Sequence, residues 1–274
     1  MKVSILKKLL ILLFAALLIS SFAGCSDSRR SDSVKDDDSL QKIRDAGQLV
    51  LGLDTEFPPM GFVNESGEIV GFDIDVAQEV CDRLGVSLVK QGINWDEKEN
   101  DLNSGKIDCI WNGMSVTESR AEAMNLSEPY MKNELIVVVS GDSTIKNLHD
   151  LSKKTIGVQS GSTSQDVLDG SSDFSDVRAK AYENVLLMLQ DLEEKKLDAV
   201  LVDSVAAYYY IFSKDEKYYI LSDSLGEEEY AIGFRKNDQK LRDEVQRIIS
   251  EMKADGTLGE ISKKWFGSDI TTVK

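Results

Sequence analysis

Residues 106–113, KIDCIWNG, return at 196–203 as KLDAVLVD. Each copy opens on a basic residue and an acid, then runs apolar, as a buried strand does. Each also follows a helical pattern, DLNSG before the first and LLMLQDLEEK before the second. A second pair repeats, VLGLD at 50–54 and TIGVQ at 155–159. Laid over one another, the repeats put Asp54 opposite Gln159 and Gly113 opposite Asp203. Strand, helix, strand, occurring twice, predicts two similar α/β halves. Ligands of open α/β sheets sit beyond the carboxyl ends of the strands. Two such sheets facing each other would gather Asp54, Gly113, Gln159 and Asp203 around one cleft.

The first copy continues as IWNGMSVTESR, residues 110–120. The strand is expected to stop at Asn112-Gly113, where glycine frees the backbone. Ser115 and Thr117 then offer hydroxyls and amides ahead of a helix start, a place where α/β proteins hold small anions. Arg120 adds a planar, permanently charged fork that matches a carboxylate. The segment reads as a device for capturing a carboxylate.

Outward from these strands, the pattern predicts a helix over 40–46 ended by Gly47, a strand over 49–53, and a loop and hairpin turning at Glu65-Ser66-Gly67. A helix over 73–84 ends at Gly85 and carries Ile74, Ala77, Cys81 and Leu84 on one face. Strands are expected over 86–90, 107–111, 135–139, 155–158 and 197–202, with helices over 96–103 and 184–194. The latter shows Val185, Leu186, Leu189 and Leu192 on one face. From Tyr230 a strand leads into a long helix with Leu241, Val245, Ile248, Ile249 and Met252 aligned, and EISKKWFG closes the chain as a last helix. The segments 135–139 and 227–233 are the candidate crossings between halves, which makes the second half an insertion in the first.

The formal net charge is −16 over 274 residues. Such a chain lacks the excess of Lys and Arg that phosphate neutralisation requires, so no nucleic-acid partner is expected. The N-terminus reads as a targeting segment. Lys2, Lys7 and Lys8 precede an apolar stretch, Leu9 to Ile19, too short to span a bilayer. SSFAGC then ends on Cys25, which resembles the bacterial lipoprotein signal with Cys25 as the lipidated residue. Residues 26–38, SDSRRSDSVKDDD, are almost without apolar side chains and read as a disordered tether. Cys81 and Cys109 form no CxxC and are expected as two buried thiols. His149, the only histidine, lies in the polar stretch NLHDLSKK, and no GxSxG, Walker or HExxH motif occurs. No catalytic residue, metal site or cofactor is expected.

The segments GLDTEFPPMGF, GEIVGFDIDVAQEV, KIDCIWNGMSVTESR, LSEPY, TIGVQSGSTS, LDAVLVDSVAA and MKADGTLGEISKKWFG occur in this order over about residues 40–268. Together they resemble the family 3 extracellular solute-binding proteins of ATP-driven importers for polar amino acids, with their lysine/arginine/ornithine, histidine and glutamine binders. The resemblance implies a two-lobed, type II periplasmic-binding-protein-like fold in which two α/β lobes are joined by a two-strand hinge. It divides the chain into a lipoprotein signal peptide (1–24), a tether (25–39), lobe 1 (40–131 and 231–274) and lobe 2 (135–227). By the same resemblance Arg120 grips the ligand α-carboxylate, assisted by the amides of Ser115 and Thr163. Asp203 pairs with the α-ammonium, together with the Gly113 carbonyl and the Ser115 hydroxyl. Phe57 and Trp95 cover the ligand side chain, Asp54 stands at its far end, and Asn112 and Gln159 border it. The implied partners are an amino acid, the transmembrane permease subunits and a membrane reached through the lipid anchor, for a monomer outside the cytoplasm. Basic amino acids such as arginine or lysine rank ahead of glutamine, histidine or cystine. A cyclic-acid dehydratase, a sensor input domain and a surface adhesion lipoprotein are the rival readings.

Overall fold

The computed structural model describes residues 37–212 and 217–274. The expected signal peptide, Cys25 and most of the expected tether lie outside the described residues. In chain order the elements begin with helix α1 (Ser39–Ala46), strand β1 (Gln48–Leu53) and a small three-stranded sheet, β2 (Glu56–Phe57), β3 (Gly61–Val63) and β4 (Ile69–Val70). Helix α2 (Phe72–Leu84), strand β5 (Ser87–Gly92) and helix α3 (Lys98–Ser104) follow. Next come β6 (Cys109–Ser115), α4 (Glu118–Ala123), β7 (Met124–Leu126) and β8 (Met131–Ser140). The central stretch holds β9 (Thr155–Gln159), α5 (Thr163–Gly170), β10 (Arg178–Tyr182), α6 (Val185–Glu193), β11 (Ala199–Asp203) and α7 (Ser204–Phe212). The chain closes with β12 (Tyr218–Arg235), α8 (Gln239–Asp255) and α9 (Thr257–Phe266).

The main sheet runs in the order β10-β9-β11-β8-β12-β6-β1-β5, with β7 added on β12. Its two flanks are the sequence repeats. Leu51 pairs with Cys109 in parallel between β1 and β6, as Ile156 pairs with Ala199 between β9 and β11. The repeated acid does the same work twice. Asp108 takes the Val50 amide at 3.0 Å and returns its own to the Val50 carbonyl; Asp198 does so with Thr155 at 2.8 Å. The repeated glycine is equally determined. A Cβ on Gly52 would stand 2.4 Å from Ile107 Cδ1, and one on Gly157 would stand 2.6 Å from Leu197 Cδ1, so a larger residue in either copy would have to displace that side chain.

The two flanks are not separate sheets by hydrogen bonding. β8 and β12 run antiparallel through the middle, from Tyr218↔Ser140 to Tyr230↔Met131, and join them into one sheet. β12 starts well before the expected position near Tyr230. Its first half, YYILSDSLGEEEY, has no clean alternation because register shifts interrupt its pairing with β8. β6 likewise passes through Asn112-Gly113 instead of ending there. Gly113 takes φ +58, and the strand resumes with Met114 and Ser115 opposite Ala231 and Tyr230. A glycine in that conformation kinks a strand without terminating it.

The predicted helical faces carry the core. On α8, Leu241, Val245, Ile248, Ile249 and Met252 are all buried. On α6 the buried residues are Val185, Met188, Leu189 and Leu192; Leu186, expected among them, is only half-buried. Cys81 and Cys109 are buried free thiols. At the N-terminal edge, Ser39 is the first residue of α1 and is buried, with its Oγ accepting the Leu241 amide. The compact unit thus takes in Asp37–Ser39, the last residues of the stretch read as tether. Among the described residues no helix is long and apolar enough to cross a membrane.

Candidate functional site

The carboxyl ends of β1, β6, β9 and β11 converge on one narrow cavity. Its lining contains the ten residues that the resemblance places around a ligand, Asp54, Phe57, Trp95, Asn112, Gly113, Ser115, Arg120, Gln159, Thr163 and Asp203, with Ser162 in addition and without Thr117. The repeat explains the convergence. Equivalent strands end at equivalent heights, and the two flanks meet at those ends. Gln159 Nε2 donates to Asp54 Oδ2 at 2.6 Å, so the two residues superposed by the repeat touch in space.

Arg120 lies in α4, whose N-cap Thr117 accepts the Arg120 amide through its hydroxyl at 3.1 Å. The side chain is buried, at 5% exposure. Nη1 donates to the Ser115 carbonyl at 2.8 Å and Nη2 to the Gly161 carbonyl at 3.1 Å. Among the described residues no carboxylate stands within ion-pair distance of it. Burial depresses its pKa from the ordinary arginine value, the signature of a cation deprived of water without a full counter-charge. A buried guanidinium held only by carbonyls is a ready anion site. Thr163 opens α5 beside it, at 7% exposure.

The opposite wall is acidic. Asp203, the last residue of β11, accepts the Tyr230 hydroxyl at 2.9 Å. Its carboxyl is pushed up to about 7, first by burial and then by the nearby charge of Glu228. Ser115 Oγ donates to Glu228 Oε2 at 2.7 Å, and Asn133 Nδ2 donates to the same oxygen at 2.9 Å. The Gly113 amide donates to Asp73 Oδ2 at 2.8 Å, and the Tyr130 hydroxyl donates there at 2.9 Å. Asp73 is fully buried with its other oxygen unpartnered, and burial lifts it to about 7. This carboxyl fixes the peptide plane of Gly113, whose φ is +58 and where an added Cβ would stand 2.9 Å from Phe57 Cε1.

The third wall is aromatic and polar. Phe57 and Trp95 are buried, at 5% and 7% exposure. Lys98 Nζ lies 5.2 Å from the Trp95 ring centroid and donates to the Trp95 and Gly161 carbonyls at 3.2 and 3.0 Å. Burial, with Arg120 as a like charge, lowers the Lys98 pKa to about 8. Asp54 accepts the Glu56 amide and the Gln159 side chain, and its own amide donates to Asn112 Oδ1 at 3.1 Å. Burial raises its pKa. Asn112 Nδ2 is buried with no acceptor.

Three residues that hydrogen-bond the lining from behind were not legible in the sequence. Lys98 reads as an ordinary residue of a charged helix start. Glu228 sits in the run EEE, which carries no positional signal. Asp73 reads as a residue of the first turn of α2, and only the kink at Gly113 brings it under the site. His149 is exposed and forms no part of the cavity.

The profile of the bacterial extracellular solute-binding proteins, family 3, matches residues 49–268, and the chain belongs to this family. It is 31% identical over 241 residues to the L-cystine-binding protein TcyJ of Escherichia coli K12, covering 87% of this chain and 90% of that one. The structure superposes on Tv2483 bound to L-arginine with a TM-score of 0.84 at 33% identity, over 86% of this chain and 98% of the other. A substrate-binding protein of an ABC uptake transporter from Streptococcus pneumoniae with bound histidine gives 0.83 at 35%, over 86% and 99%. The fold is therefore the two-lobed type II periplasmic-binding fold.

Proposed function

We propose that the protein binds a polar L-α-amino acid in this cavity and delivers it to a membrane permease, without catalysing a reaction. The observation that carries this reading is the pairing of opposite charges across one cavity: a buried Arg120 without a carboxylate partner, and an Asp203 whose ionisation is suppressed by burial. A zwitterion supplies both missing partners at once, whereas a simple anion or amine supplies one. Relatives and structural neighbours named for cystine, arginine and histidine support the same class. The lobes are taken as 40–131 with 231–274 and as 135–227. Closure on the ligand is carried by the β8 and β12 crossings.

For the side chain, a basic amino acid such as arginine or lysine ranks first, because Asp54 is a buried carboxylate with no cation among its hydrogen-bond partners, in a cavity that Phe57 and Trp95 also line. Glutamine or cystine is the second reading, favoured by the buried Asn112 Nδ2, a donor that their side-chain carbonyl or carboxylate would satisfy. Competition calorimetry with arginine, lysine, glutamine, histidine and cystine decides between them. Failure of the whole panel to bind refutes the proposal. Anchoring is proposed to run through a lipidated Cys25, and Cys25→Ala is expected to release the protein from membranes; full retention would refute it.

A further inference from the structure

Glu228 lies half-buried on β12, opposite Asn133 on β8 and two residues from Tyr230, which pairs with Ser115 on β6. Glu228 Oε2 receives the Ser115 hydroxyl at 2.7 Å and the Asn133 amide at 2.9 Å. A carboxylate only accepts, and a serine hydroxyl has one proton. The Ser115 proton is therefore spent on Glu228, and the buried Ser115 Oγ can offer the cavity only lone pairs. Tyr230 spends its own proton on Asp203 in the same way. Asn133 is itself fixed, with its Oδ1 accepting from Ser204 at 3.2 Å. This wall of the cavity is thereby restricted to accepting. An ammonium, with three protons to give, matches it; a hydroxyl, with one, does not.

We propose that Glu228 is a positioning residue for the ligand's α-ammonium, acting through Ser115 by fixing that hydroxyl as an acceptor and adding a second negative charge beside Asp203. The inference rests on the amino-acid reading above. The titratable and charged groups bearing on Asp203 are Glu228 and Tyr230 from β12 and Arg120 from α4. Of these, Glu228 opposes Asp203 ionisation and Arg120 favours it. Removing the Glu228 charge should then leave Asp203 ionised to lower pH in the unliganded protein, so that ammonium binding near neutrality displaces fewer protons.

The test is calorimetry on the full mature chain with Glu228→Gln and Glu228→Ala, after a thermal melt establishes that each variant folds. Probes are L-arginine, L-glutamine, L-histidine and L-cystine, each beside its own analogue lacking an α-amine, such as 5-guanidinopentanoate for arginine. Titrations run at pH 7 in phosphate and in Tris, whose different ionisation heats report protons released. Both variants are expected to reduce the preference for amine over des-amine ligand by about tenfold, and Glu228→Gln to reduce proton release as well. Equal weakening of both ligand types, or an unchanged preference with unchanged proton release, overturns the assignment and leaves amino-acid binding standing. Wild type that binds none of the four amino acids overturns both.

Discussion

Asp203 should make ligand affinity depend on pH in a direction opposite to the stability of the empty protein. In the unliganded cavity its carboxyl is pushed up to about 7 by burial and by Glu228. In the proposed function the α-ammonium pairs with the ionised form, so occupancy should lower this pKa and binding below pH 7 should expel a proton. At pH 5, two units below the unliganded value, the carboxyl is almost wholly protonated. Affinity should then be weaker than its plateau above pH 8 by about a hundredfold, or roughly 3 kcal/mol at 1.36 kcal/mol per unit. The empty protein behaves inversely. A carboxyl whose folded pKa exceeds its unfolded value contributes stability below the unfolded pKa and loses it as pH rises through about 7. Lowering pH from 8 to 5 should thus stabilise the empty protein while weakening binding, a combination that general acid unfolding does not produce. Calorimetry of the tightest-binding amino acid at pH 5, 6, 7 and 8, with Asp203→Asn alongside, measures it. The variant should bind weakly at every pH with a flatter profile. Affinity in the wild type that stays constant from pH 5 to 8 would refute the reasoning.

Arg120→Ala removes the cation expected to face the ligand carboxylate and should cost about 2–5 kcal/mol of binding, read by calorimetry as a loss of about thirtyfold to several thousandfold. Gly113→Ala forces a Cβ to within 2.9 Å of Phe57 Cε1 at a backbone φ of +58, and should destabilise the protein by about 1–3 kcal/mol in denaturant unfolding while also weakening binding. Asp73→Asn keeps an acceptor for Gly113 and Tyr130 but removes a carboxyl lifted to about 7. Its raised folded pKa means stability is lost as pH rises through about 7, so unfolding measured from pH 5 to 8 should flatten by roughly 3 kcal/mol in the variant.

The repeat was visible in the sequence because its requirements are local. An acid that pairs with the neighbouring strand's backbone, a glycine that a leucine or isoleucine methyl crosses, and an apolar run between them recur as KIDCI with VLGLD and KLDAV with TIGVQ. Those residues fix where each strand ends, so Asp54, Gly113, Gln159 and Asp203 could be placed together in advance, and the segment after Gly113 added Ser115 and Arg120; Phe57, Trp95, Asn112 and Thr163 were implied only by the family resemblance. The faces of α2 and α8 were legible for the same reason: periodicity is a property of neighbours along the chain. What the sequence could not determine was set by contacts between distant segments. β12 pairs along β8 through register shifts that erase alternation, so one long strand read as a short one. Gly113 kinks β6 without ending it because Tyr230 and Ala231 hold the strand on the far side. Lys98, Asp73 and Glu228 carry no signal among many surface acids and lysines. Their roles arise only when folding withdraws water from them and places Gly161, Gly113 and Ser115 within hydrogen-bond reach. Burial and proximity, which change what a charge costs and what a hydroxyl can donate, exist only in three dimensions.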